Sequence, residues 1–532
     1  MSKVIFTKGT IHTFDKRQPV VETIVTENGR IIDLGSHEDM MLQWGRENAK
    51  VIDLEGCMAT PGLIDSHMHL SGIGSQFLDL NLTGVTSKKE MLEKIRERAN
   101  GTPPGKWVSG LGFDENLFED GGIPTIQELD EVAPHCPVFI KRVCHHASVV
   151  NSKALESIQY HPSIEVPEGG TIVLDPDTGQ PTGLLLETAS DLITARMPEK
   201  TYGELKQGLS LAIDHLLEKG LTGVHTNDPR YLGGFQQTYK LFDELLNKEH
   251  KGLRANLLVD YPFLDELQDS GMKTGDGNDL LQVGAIKLFE DGAFGRRTAL
   301  LSDPYYDAPE EYGQAIQDQE ILYQMVKEIR EAGMPVAVHT IGDQAAANVL
   351  DVLEQFPAVS CRDRIIHVSL LREDLIRRLA KPSIAADIQP RFLVSDYPWI
   401  QDRLGEQRLE YLYIWKTLLS AGVLCAGGSD APIEPADPLL GIHAAVARRL
   451  PGETHEGWNV NERLTIQEAL EVFTIGGAYA TSEEDRKGTL SRGKLADMTV
   501  FSQNLLEMEH ADELLHTEVE MTVVGGEVVY RK

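Results

Sequence analysis

The sequence predicts an α/β protein: a (β/α)8 barrel of the TIM type, with a small β-sandwich domain built from both termini and a long insertion after the first barrel strand. Three observations carry that prediction. The middle of the chain alternates short apolar strands with amphipathic helices, the pattern of a parallel sheet with helical crossovers. The two ends are instead rich in short β-branched runs and hairpin turns. Finally, the chain has 532 residues, more than the ~250 usual for such a barrel, so the surplus must sit in added segments.

Taken in order, residues 4–6, 11–14, 20–26 and 30–34 read as strands, and Glu27-Asn28-Gly29 is a type I′ hairpin signal between two of them. Eight barrel strands are expected at 63–69, 221–226, 254–259, 285–289, 336–339, 364–367, 384–389 and 423–427, with helices such as 321–332, 345–355 and 373–380 between them. Without 84–220, the stretch from Gly62 to Pro432 is close to the usual barrel length, so 84–220 reads as the insertion. It carries its own strands at 107–110, 138–143, 171–174 and 183–187. After the barrel, 496–501 is a strand, and 519–524, Gly525-Gly526 and 527–530 form a second hairpin. The expected domains are therefore the barrel at 61–432, with 84–220 inserted, and a β-sandwich from 1–60 and 433–532, mainly 488–532.

Fifty Lys and Arg against 82 Asp and Glu give a formal net charge of −32. A polyanion would be repelled, so nucleic acid is excluded as a partner. No run approaches the ~18 apolar residues of a membrane span, and the first residues lack a signal-peptide stretch. The five cysteines (Cys57, Cys136, Cys144, Cys361 and Cys425) are sparse and nowhere in Cys-x-x-Cys spacing. A reducing cytoplasm is the expected compartment, a small molecule the expected substrate and a homodimer the default assembly.

Most of the seventeen histidines need no function, but position changes the odds for a few. His67-Met68-His69 ends an apolar strand, and residues two apart on a strand point to the same side. In a barrel that side is the lumen at the C-terminal mouth, where catalysis is located, so the pair reads as half of a zinc site. His339, His367 and Asp430 each close a later strand and converge on the same rim. Lys287 sits inside the apolar strand Gly284-Ala285-Ile286-Lys287-Leu288-Phe289, where a bare ammonium is costly. One reading pairs it with Glu290 or Asp291. The other leaves the amine uncharged and carboxylated by CO₂, so that the carbamate bridges two divalent ions.

Pro61-Gly62-Leu63-Ile64-Asp65-Ser66-His67-Met68-His69, together with Lys287, His339, His367 and Gly428-Ser429-Asp430, resembles the metal-dependent amidohydrolase superfamily. The tail from Gly488-Thr489-Leu490 to Gly493-Lys494-Leu495-Ala496-Asp497 resembles the return of those chains into their β-sandwich. More narrowly, Pro124-Thr125, Leu129-Asp130, Pro137 to Arg142, His146 to Asn151, Asp291-Gly292 to Thr298-Ala299, Gly342-Asp343 and Gln389-Pro390 are similar to the YtcJ-like, amidohydrolase family 3 branch, which includes N-substituted formamide deformylases.

The resemblance implies one or two divalent metals, usually zinc, and hydrolysis of a carbon–nitrogen bond other than a peptide bond. By position it places His67, His69 and Asp430 on one ion and His339 and His367 on the other, with Lys287 bridging. Two such cations depress the pKa of a shared water towards ~7, giving a hydroxide nucleophile, and Asp430 is placed as the catalytic group that moves its proton to the leaving nitrogen. His146, Arg142 and His225 are the candidate substrate contacts. Two departures touch the presumed substrate pocket: Cys144 stands where the branch often has an acidic residue, and Arg296 where a small one is common. The alternatives are a mononuclear aminohydrolase that deaminates a heterocycle and a non-catalytic scaffold. Deaminases of the superfamily usually carry Glu three residues after the fifth-strand His; here that residue is Gly342. Scaffold homologues typically lose ligands, and all six positions are filled.

Overall fold

Eight parallel strands lie side by side in the computed structural model, which describes residues 3–46, 49–119, 122–143 and 146–532. They are β1 (Leu63–Met68), β2 (Leu221–Asn227), β3 (Arg254–Asp260), β4 (Leu281–Phe289), β5 (Val336–Thr340), β6 (Asp363–His367), β7 (Ile384–Ile388) and β8 (Leu424–Gly427). Each pairs with the next in parallel register. The remaining edge is drawn together just beyond β8, where the Asp430 N–H donates to the His67 carbonyl and the His69 N–H to the Ala431 carbonyl, both at 2.7 Å. The result is a mixed α/β fold around a nearly closed barrel sheet. β2 and β3 are buried at every position, which is why such strands read as unbroken apolar runs and not as an alternation.

Helices cover the outer face of this sheet. Gln319–Glu331, between β4 and β5, is capped by the Asp318 side chain accepting from the Ile321 N–H. It buries Leu322, Val326 and Ile329, spaced as one helical stripe. No helix among the described residues is long and apolar enough to cross a membrane.

The chain divides into two compact units, one formed by residues up to Ser71 with Ile213–Lys532, the other by Gly72–Ala212. The first holds the barrel and a second sheet to which both chain ends contribute. Val4–His12, Val20–Glu27, Arg30–Gly35, Lys50–Asp53 and Met58–Pro61 pair there with Met498–Phe501, Val519–Val524 and Glu527–Arg531. Its two hairpins turn where the sequence places them, with left-handed φ at Asn28 (51°) and Gly29 (79°) and at Gly525 (58°) and Gly526 (75°). The runs at 4–6 and 11–14 are one strand, not two. A register shift between Thr7 and Ile11, with Lys8 at φ 58°, lets the chain bulge without leaving the ladder. Phe6, Ile24, Ile31, Met498, Val500 and Val523 pack in one core, joining the two ends of the chain.

The Gly72–Ala212 unit has its own six-stranded sheet, ordered Thr171–Leu174, Pro181–Leu186, Ala147–Val150, Val138–Arg142, Val108–Phe113, Leu80–Asn81. It begins ahead of the residue-84 edge expected from sequence, because Leu80–Asn81 already pairs with Val108–Phe113. Ala147–Val150 is not among the expected strands. Four residues are too few to show a period, yet the strand is paired on both sides and wholly buried.

Candidate metal centre

β1 delivers His67 and, one residue past its end, His69; their ring centroids are 5.4 Å apart. Asp430 follows β8 in the left-handed region (φ 57°). That backbone turns its carboxylate inward, with Oδ1 3.5 Å from His67 Nε2 and 3.3 Å from His69 Nε2. Ligand atoms of these three residues all lie within 4.8 Å of one another. β5 and β6 bring in His339 and His367, whose rings stand 4.4 Å apart and nearly perpendicular; His67 is 5.7 Å from His367. His367 is also left-handed, at φ 81°, and such strain in a non-glycine residue, of order 1–3 kcal/mol, persists where the surroundings dictate it. Lys287 on β4 is buried with Nζ 3.5 Å from His67 Nε2. The six predicted ligands meet at one end of the barrel.

Lys287 pairs with neither acid offered by the sequence. Glu290 accepts from Gln317 and Asn348, and Asp291 from the backbone N–H groups of Leu300, Ile341 and Gly342. Burial pulls the Lys287 amine down to about 8, although the charge of Asp430 acts the other way. The imidazoles are held neutral for the same reason: burial lowers His339 to about 4 and His67 and His367 well below their usual value. His69 is the exception. Burial opposes its protonation, but the Asp430 carboxylate beside it outweighs that and raises it.

The tautomers follow from carbonyl acceptors. His69 Nδ1 donates to the Asn227 carbonyl (2.8 Å), His339 Nε2 to the Gly292 carbonyl (3.0 Å) and His367 Nδ1 to Gln389 Oε1 (2.9 Å). A carbonyl can only accept, so in the neutral form the other nitrogen of each ring keeps its lone pair. Asp430 Oδ1 is itself buried without a hydrogen-bond donor. An acceptor-only carboxylate among imidazole lone pairs is the donor set of a divalent cation.

The supporting residues were harder to see in the sequence. Asp65, given no role there, accepts from the His67 N–H (3.1 Å) and through both oxygens from the Ser429 N–H (3.1 Å), tying the β1 ligands to the segment that bears Asp430. Gln389, one residue past β7, orients His367; the sequence marked it only as part of the Gln389-Pro390 resemblance and gave it no role. Gly428 allows the close approach of β8 to β1, since a Cβ there would lie 2.7 Å from the His67 nitrogen.

Of the three predicted substrate contacts, His225 lies in the unit that holds the six. Arg142 and His146 belong to the Gly72–Ala212 unit, where Arg142 donates to Asp114 and Glu115 (both 2.8 Å) and exposed His146 pairs with Glu187 (2.9 Å). His225 is fully buried in the barrel interior. Arg296 is exposed in the short turn Phe294–Arg296. Cys144 lies outside the described residues.

A profile described as the amidohydrolase family matches residues 50–530. The chain belongs to the amidohydrolase family. Within it, the chain is 39% identical, over the full length of both proteins, to a putative amidohydrolase, YtcJ, of Bacillus subtilis (strain 168). It is 27% identical to an N-substituted formamide deformylase of Arthrobacter pascens, over 100% of this chain and 99% of that one. An uncharacterized metal-dependent hydrolase from Pyrococcus furiosus has a similar structure, with a TM-score of 0.77 and 30% identity, covering 95% of this amidohydrolase and 100% of its own chain.

Proposed function

We propose that this amidohydrolase hydrolyses the carbon–nitrogen bond of a small amide. His67, His69 and Asp430 would hold one divalent cation and His339 and His367 a second, zinc being the first choice for such donors, with Lys287, once carboxylated, as a further ligand. The observation that supports this reading is the meeting of the six side chains around one buried, donorless carboxylate oxygen. Such cations, when bound, would lower the pKa of water and polarise a carbonyl oxygen.

The chain's own residues supply the rest. Asp430 faces both His67 and His69 through Oδ1, and its carboxylate is placed to accept a proton and return it to the departing nitrogen, since an amide anion is too basic to leave unprotonated. The depressed basicity of Lys287 leaves a fraction of the amine neutral, the form that can bind CO₂. The formamide class is suggested by the Arthrobacter relative. Deamination is the less favoured alternative, since Gly342 follows His339 where an acid would be needed. The wider architecture belongs to the same reading: a β-sandwich from both termini, with 84–220 as an insertion carrying substrate contacts Arg142 and His146, in a cytoplasmic homodimer.

The test is amine release from a panel of N-substituted formamides and longer-chain amides, by zinc-reconstituted protein with metal content measured in parallel. Asp430→Asn should lose ~10²–10⁴-fold in rate, the usual worth of a positioned acid–base group. Lys287→Ala should lose one or both ions. A fully loaded protein that releases ammonia from heterocycles and no amine from amides would overturn the proposal.

A further inference from the structure

Beneath the ligand cluster the barrel interior is polar, which is unusual for a space that side chains normally fill with apolar layers. Arg364 on β6 and Asp387 on β7 are fully buried and form a two-pronged pair at 2.9 and 2.8 Å. Arg364 Nη2 also donates to the Ser66 carbonyl, just below His67. Around this pair several buried polar atoms find no hydrogen-bond partner in the protein, among them Arg364 Nη1, Ser66 Oγ and Asn256 Oδ1, and the His225 ring has at most the Ser66 backbone beside it. His225 and Asn256 are register partners on β2 and β3, so both belong to one layer. Each such atom left unsatisfied would cost ~1–3 kcal/mol, and together they are too many for a dry core.

That layer does not end blindly. Asn256 and Arg364 also line a cavity of about 160 Å³ bounded by Thr274, Gly284, Arg362 and Glu483. Its walls come from the N-terminal halves of β3, β4 and β6, the barrel end opposite the ligand cluster. Lys287 adjoins the layer from the ligand side: its Nζ lies 3.5 Å from His67 Nε2, and the carbonyl of Ser66, next to His67, accepts from Arg364. One polar layer thus separates a cavity at the barrel floor from the amine of Lys287.

We propose that the floor cavity and the Arg364–His225–Asn256 layer form a hydrated rear passage to Lys287, through which CO₂ enters to carboxylate the amine and the released proton leaves. The inference rests on the reading of Lys287 as a carboxylated ligand. In the step, the neutral Nζ attacks the CO₂ carbon, forming the N–C bond. One N–H proton departs to water in the passage, and a carbamate anion remains. A polar, water-lined route suits this exchange because the proton needs hydrogen-bonded carriers, and it leaves the C-terminal mouth to the amide.

The test blocks the floor without touching the ligands. A Cβ on Gly284 would stand 2.2 Å from Asn256 Oδ1, so Gly284→Ala crowds the layer, and Asn256→Leu removes its polar lining. Full-length protein freed of metal and CO₂ is mixed with zinc and ¹³C-bicarbonate, and growth of the Lys287 carbamate signal is followed by ¹³C NMR. Crystal structures of the same proteins are inspected for waters on Arg364 Nη1 and His225. The expected result is a continuous water chain in the wild type, broken in either variant. Carbamate formation should slow several-fold in both variants while reaching the same final zinc content. Equal labelling rates in wild type and variants, or a dry layer in the crystal, would overturn the passage and leave Lys287 a carboxylated ligand. Absence of any carbamate signal in the wild type would overturn both. Two variants are used because Gly284→Ala alone could fail to fold; should both fail, the wild-type water chain decides.

Discussion

Gln389 and Asp396 lie on the same segment, just past β7, and make opposite kinds of contribution. Gln389 fixes His367 through one hydrogen bond to Nδ1. Partners of this kind typically carry ~10–100-fold in metal affinity, so Gln389→Leu should weaken zinc binding by that order. A competition titration with a chelating dye reads it, and unchanged affinity would show that the His367 ring is held by packing alone, against the Phe392 ring stacked on it at 5.6 Å. Asp396 sits in the helix Pro390–Leu404. Burial pushes its carboxyl up to about 7, against the Tyr413 hydroxyl that donates to it at 2.5 Å and with the charge of Glu434 adding to the rise. A carboxyl whose folded pKa is raised stabilises the fold fully below its unfolded pKa, ~3.9, and that contribution is lost as pH climbs through the folded value. Asp396→Asn keeps an acceptor for Tyr413 and cannot ionise. Denaturant titrations of both proteins should therefore show the variant gaining on the wild type between pH 4 and 7, at up to ~1.4 kcal/mol per pH unit. A flat difference would mean that Asp396 ionises freely in the fold.

At the scale of elements, the join between β1 and β8 is where a small change should have the largest effect on the site. Gly428 has the His67 nitrogen 2.7 Å and Asp65 Oδ1 3.0 Å from where a Cβ would be. Gly428→Ala must push the strands apart, at the ~1–3 kcal/mol usual for overpacking, and it carries Asp430 away from His67 and His69. Thermal melting and zinc content should fall together; a lowered melt with full zinc would place the adjustment elsewhere. The elements most legible in the sequence were those whose burial leaves a plain pattern. β2 and β3 are buried on both faces, and the hairpins at Asn28-Gly29 and Gly525-Gly526 need φ values that few residues accept. Less legible were elements defined by their partners. Ala147–Val150 is a strand because Val138–Arg142 and Pro181–Leu186 flank it, and the bulge at Lys8 shows only against Val20–Glu27.

For the whole molecule, the same distinction explains what the sequence could and could not say about the site. Five of the candidate ligands stood out because polar side chains at the ends of apolar strands are few, and Lys287 because a lysine inside an apolar strand is costly. Their supports did not, since a backbone carbonyl such as that of Asn227 or Gly292 leaves no trace in composition, and Arg364 and Asp387 look like interruptions of a strand until they are seen facing one another. All six candidate ligands fall in the unit formed by residues up to Ser71 and Ile213–Lys532, and none in Gly72–Ala212. A cation bound only by the folded state adds stability by mass action, ~4 kcal/mol at a thousand times its dissociation constant. That gain belongs to the unit whose strands must be in place to bind it. Chelation should therefore speed amide hydrogen exchange in β1, β5, β6 and the segment after β8. The Val108–Phe113 and Val138–Arg142 strands, with their own core of Met91, Ile95, Phe113, Leu129 and Ile140, should keep their protection. Exchange that rises equally in both units would show that the metal stabilises the chain as one cooperative body, and exchange that rises in neither would remove the cation from the barrel.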